Sequence, residues 1–61
     1  MVDYDESIKV ARSMIKWGGS FINALGFALT KADGINRQKI KDAFPEYWQN
    51  YLERSDAWEE R

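Results

Sequence analysis

From Asp5 to Ala32 the apolar residues recur with the period of an α-helix and hold one phase throughout. At 100° per residue, Val10, Ala11, Met14, Ile15, Trp17, Gly18, Phe21, Ile22, Ala24, Leu25, Ala28 and Leu29 fall on one side, and Lys9, Arg12, Ser13, Lys16, Ser20, Asn23 and Thr30 on the other. The apolar arc covers roughly half of the wheel, wider than the ~100° stripe of an ordinary surface helix, so two partner elements are expected on it. Asp3 or Asp5 suits the N-cap, and Asp5 with Glu6 suits the positive end of the helix dipole. The adjacent glycines Gly18-Gly19 cost roughly 1 kcal/mol each inside a helix. The unbroken phase favours a helix that runs through them; the alternative is a break, with Ser20 capping a second helix and four short helices in all. Gly18 lies seven residues from both Ala11 and Leu25, and Gly19 seven from Gly26. Small residues at that spacing open a groove for close approach of another helix, more simply within the chain than between chains.

The next pattern is a turn, Ala32-Asp33-Gly34-Ile35-Asn36. Gly34 fits the left-handed residue that ends a helix, with Ile35 folding back onto Leu29. Asn36, or Asp33 in a tighter version, then caps a short helix whose inner side is Ile40, Ala43 and Phe44. Pro45 closes it, because the residue before proline is driven out of the helical region, and equally opens a third helix with Tyr47, Trp48, Tyr51 and Leu52 inward. Trp58, seven residues beyond Tyr51, allows that helix to extend past Ser55. The expected fold is an all-α, single small domain over residues 1–61, with helices at about 5–32, 36–44 and 45–55 and the second and third packed across the first.

Composition sharpens this picture mainly by exclusion. There is no cysteine and no histidine, which removes disulfides, thiolate zinc sites, the commonest metal ligand and the usual general base. The hydroxyls of Ser7, Ser13, Ser20, Thr30 and Ser55 therefore have no imidazole to activate them. Carboxylate pairs such as Asp5/Glu6 and Glu59/Glu60 read as solvated termini, and no phosphate-binding glycine loop is present. The sequence predicts no catalytic residue, no cofactor and no metal. A chain this short buries only ~60% of its unfolded surface. Nine aromatic residues in 61 are its substitute for staples, through dense packing or self-association.

Charge is uneven. Residues 7–41 carry seven basic side chains against the one acid Asp33, and residues 42–61 six carboxylates against Arg54 and Arg61. Three basic residues, Lys9, Arg12 and Lys16, form a strip on the polar side of the first helix, with Phe27 in the same sector. An aromatic there is either covered by the C-terminal segment, through Trp58, or is a contact for another chain. Lys9, Arg12, Lys16 and Phe27 are the candidate interaction surface. A helix-turn-helix reading of Phe21–Phe44 is the alternative: Asn36, Arg37, Lys39 and Lys41 would face nucleic acid, with Arg37, Lys39 and Lys41 all pointing to solvent. Thr30, where that motif wants a small residue, and the net charge of −1 weigh against it. The acidic N-terminus lacks the apolar run of a signal peptide, and the charged first helix does not span a membrane; the expected location is the cytoplasm.

The segments Trp17-Gly18-Gly19-Ser20-Phe21, Ala24-Leu25-Gly26, Ala32-Asp33 and Lys39-Ile40-Lys41-Asp42-Ala43-Phe44-Pro45-Glu46-Tyr47-Trp48, with Tyr51, resemble short, mostly uncharacterised proteins encoded by bacteriophages and prophages. The likeness covers roughly residues 12–52, and Phe-Pro-Glu-Tyr-Trp is its most distinctive part; Phe27 departs from it, standing where a polar residue belongs. It implies a phage-type accessory protein and supplies no activity. The function expected from the sequence is thus non-enzymatic: a small protein-binding module acting on a host protein, for example in a defence complex, and self-associating as a dimer. A DNA-binding regulator and a structural accessory protein are the competing classes.

Overall fold

The two glycines end the first helix. In the computed structural model, which describes residues 2–59 and the side chains of 2–57, four helices follow one another: α1 (Tyr4–Trp17), α2 (Ser20–Lys31), α3 (Gly34–Ala43) and α4 (Pro45–Glu59). The all-α class is as expected, but the long helix over 5–32 is two helices, and the total is four rather than three. Gly18 and Gly19 are both extended, at φ −77°, ψ 156° and φ −72°, ψ −172°. Gly18 has no room for a side chain, since a Cβ would sit 2.5 Å from both the Met14 carbonyl oxygen and Ile22 Cγ2. The wide apolar arc explains why the break prevails over the continuous phase: folding back lets the two halves of the arc bury each other.

The pairing is antiparallel, because Ile15 meets Asn23 while Ala11 and Met14 meet Gly26. A Cβ on Gly26 would lie 2.9 Å from the Ala11 carbonyl oxygen and 2.9 Å from Met14 Cβ. The small residue therefore serves close approach within the chain, as its spacing suggested. Asn23 Nδ2 donates to the Ile15 carbonyl at 2.9 Å, satisfying one of the acceptors left over at the end of α1.

Ala32 and Asp33 link α2 to α3, and the left-handed glycine cap expected at Gly34 does not form. No described residue has positive φ; Gly34 is the first residue of α3, and Ile35 points outward at 61% exposure instead of packing on Leu29. The tighter alternative holds, with Asp33 Oδ1 accepting from the Asn36 amide at 2.8 Å. Phe44 leaves helical geometry before Pro45, which opens α4 as its position predicted.

The core is Val10, Ala11, Met14, Leu29 and Trp48, flanked by Val2, Ile22, Leu25, Ile40, Tyr51 and Leu52. Ser13, placed on the polar side by the wheel, is fully buried with its hydroxyl unpartnered. It shares a face of α1 with Glu6 and Lys9, which bond Trp48 and Asp56 of α4, so its small side chain lies where α4 crosses. No helix among the described residues is long and apolar enough to cross a membrane.

Candidate protein-interaction face

α2 is mostly apolar, with Ser20, Asn23, Thr30 and Lys31 as its polar positions, and the fold covers only part of it. Ile22, Leu25, Gly26 and Leu29 turn inward, whereas Phe21, Ala24, Phe27 and Ala28 are exposed, the two phenylalanines at 58% and 54%. Two of its few polar side chains are occupied locally: Asn23 on Ile15, and Thr30, whose hydroxyl donates to the Phe27 carbonyl at 2.6 Å. A helix with seven apolar residues and a glycine among twelve carries more apolar surface than one packed face can hide. Here Phe21, Ala24, Phe27 and Ala28 stay exposed as an outer stripe, although the Phe21 ring meets Phe44 and Tyr47 on one side.

Beside the stripe, α3 runs back along α2 and leaves an open groove of about 560 Å³. Ala28, Ala32, Ile40, Ala43 and Phe44 form its walls, with Lys31, Asn36 and Lys39 at the rim. Both lysines are exposed, and neither forms an ion pair among the described residues. At the other end of the stripe stands an aromatic ledge. Phe21 meets Phe44 edge-on at 6.0 Å, Phe44 stacks on Tyr47 at 5.9 Å, and Phe21 and Tyr47 lie 6.4 Å apart. Exposed Glu46 adjoins the ledge and lines a smaller hollow with Pro45 and Tyr47. The face is thus apolar along its middle, basic at one end, and aromatic and acidic at the other.

A polar knot holds α3 and α4 in place. Glu6 Oε2 accepts from Trp48 Nε1 at 2.8 Å and from Lys41 Nζ at 3.1 Å, and Lys41 also sits 5.7 Å over the Trp48 ring. The Trp48 bond lowers the Glu6 pKa below its ordinary 4.5; burial works against this, and the Lys41 bond and charge add to it. Val2 N donates to Gln38 Oε1 at 2.7 Å, tying the lead-in to α3.

The residues singled out from sequence separate in space. Lys9 pairs with Asp56 at 3.7 Å, Arg12 is exposed on α1, and Lys16 lies 5.7 Å over the Trp17 ring. Phe27 is on α2, and the break at Gly18-Gly19 removes the continuous phase that aligned it with this strip. Its proposed cover, the Trp58 side chain, lies outside the described residues. Asn36, Arg37, Lys39 and Lys41 do not share one outward side either. Asn36 and Lys39 rim the groove; half-buried Arg37 donates to the Ala32 carbonyl at 2.9 Å and lies 5.2 Å over the Tyr4 ring, and half-buried Lys41 is held by Glu6. The expectation that all three bases point to solvent fails for Arg37 and Lys41, because the Ala32 carbonyl and the Tyr4 ring hold the one and the Glu6 carboxylate the other. Phe21, Ala24 and Ala28, assigned to the core-facing arc, are the face that sequence reasoning missed. The signal was present in Phe21–Leu29, where Asn23 is the one strongly polar residue.

No family model, curated protein or solved structure matches this chain.

Proposed function

We propose that the chain is a non-enzymatic accessory protein of phage type that works by binding another protein through the outer face of α2. One observation carries the reading: a mostly apolar helix keeps Phe21, Ala24, Phe27 and Ala28 in water, although α1 and α3 already pack on it. Contiguous exposed apolar surface rimmed by polar groups marks contact sites, and aromatic residues are the side chains that most often anchor them. The absence of histidine and cysteine supports a role without catalytic chemistry. The phage-type resemblance supports a setting in which a small protein engages a host system such as a defence complex.

The test is a benzophenone amino acid in place of Ala28, irradiated in bacterial cells expressing the protein. A discrete protein adduct is expected from position 28, lost when Phe27→Glu is added, with none from the same label at exposed Asn50 on α4. Equal labelling from both positions, or no adduct from either, would overturn the reading.

A further inference from the structure

We propose that the occupant of this face is a second copy of the chain, with the two α2 helices packed antiparallel about a two-fold axis. The axis passes between exposed Ala24 and Ala28, level with Gly26 but on the opposite, outer side of the helix. The inference rests on the reading of α2 as a protein-contact helix and names its partner.

The argument is one of self-complementarity. A two-fold interface brings one patch against itself, so its two ends must suit each other. Here they do. The basic end carries Lys31 and Lys39, and the opposite end carries the Phe21–Tyr47 ledge with Glu46 beside it. In an antiparallel pair the lysines of each copy meet the ring faces and carboxylate of the other, a cation–π and ion-pair arrangement made twice. The middle contains Ala24 and Ala28, whose size permits close helix approach, with Phe27 to seat over Ala24 of the second copy.

Like charges do not oppose the pairing. Lys31 lies five residues from the axis, so the two copies of it stand about 15 Å apart along the helices at 1.5 Å per residue. That exceeds the screening length of about 8 Å at physiological salt. The second copy's own α4 is a poorer occupant, because its exposed positions among the described residues, Tyr47 apart, are mainly the polar Glu46, Gln49, Asn50, Glu53 and Arg54.

Size sets the strength. A fully buried phenylalanine covers about 150–250 Å², so two half-exposed rings supply about 200 Å² per copy. Both copies together supply about 400 Å² of the roughly 1,200 Å² of a standard complex, and the remainder comes from two alanines and a charged or amphipathic rim. The dimer is therefore a weak, concentration-dependent one.

Sedimentation velocity over a concentration series up to about 1 mM tests the pairing, with helicity followed by circular dichroism. The native chain is expected to shift from monomer to dimer, and Phe27→Glu to stay monomeric at unchanged helicity. Reversing one end, with Lys31→Glu and Lys39→Glu together or with Glu46→Lys alone, should weaken association about tenfold, whereas combining all three should restore it to within about threefold of native. A monomer at every concentration, or a combined variant no better than its parents, overturns the proposal. The benzophenone label at position 28 separates the two ideas. An adduct of twice the chain mass supports the dimer. An adduct with a different protein alone sinks the dimer and leaves the protein-contact reading standing. No adduct removes both.

Discussion

Glu6 shows how one residue links three helices. Its carboxylate on α1 accepts from Trp48 of α4 and Lys41 of α3, and these bonds favour the charged form. Because its pKa is lowered on folding, the stabilisation is complete above the ordinary value of 4.5 and is lost as pH falls through the lowered folded value. Glu6→Gln keeps an acceptor for the indole but loses the charge, and should cost about 1–2 kcal/mol at neutral pH. Thermal denaturation across the acid range should show a flatter fall in midpoint for this variant than for the native chain. An identical acid profile for both would show that the knot does not tune stability.

At the scale of elements, the glycines divide by what surrounds them. Gly26→Ala would gain roughly 1 kcal/mol of helix propensity, yet its Cβ would press on the Ala11 carbonyl and Met14, where neither backbone can move freely. Overpacking of this kind costs about 1–3 kcal/mol, so a net loss is expected on chemical denaturation. Gly19→Ala meets nothing within 4 Å and keeps an ordinary extended conformation, so the gain of about 0.4–1 kcal/mol through the unfolded chain is offset by the poorer N-cap that alanine makes for α2, and the variant should be near neutral. The same glycines show what was legible in the sequence. Local chemistry identified the helical class and the Phe44-Pro45 junction, and offered the Asp33 cap as the second choice behind Asn36. The break at Gly18-Gly19 was hidden because an antiparallel hairpin can preserve the wheel phase of a continuous helix. The interaction face was hidden for the same reason: on one long helix Phe21, Ala24 and Ala28 belong to the buried arc, and only the fold-back leaves them outside.

For the molecule as a whole, charge placement decides what it attracts. The basic middle of the chain makes only a scattered basic surface, since Lys9, Arg37 and Lys41 are engaged with Asp56, Ala32 and Glu6, and exposed Arg12 and Lys16 lie on α1, outside the groove lining. Lys31 and Lys39 remain outward at the groove. Duplex DNA should accordingly bind in the nonspecific range of about 10⁻⁴ to 10⁻⁶ M, with a log–log salt slope of about −2 for two phosphate contacts. Fluorescence anisotropy titrations at several salt concentrations measure both quantities. Sequence-selective binding tighter than roughly 10⁻⁸ M would make the protein a regulator of DNA.

The connectivity of the hairpin also orders assembly in time. Contacts between α1 and α2 close short loops, whereas the bonds from Val2 to Gln38 and from Glu6 to Trp48 span 36 and 42 residues. Short loops close at lower entropic cost, so the hairpin is the natural nucleus and α4 the last helix to dock. The outer stripe of α2 is therefore in place before the rest of the domain is finished. A refolding chain whose α4 has not yet docked would already display Phe27 on the outside of its first hairpin.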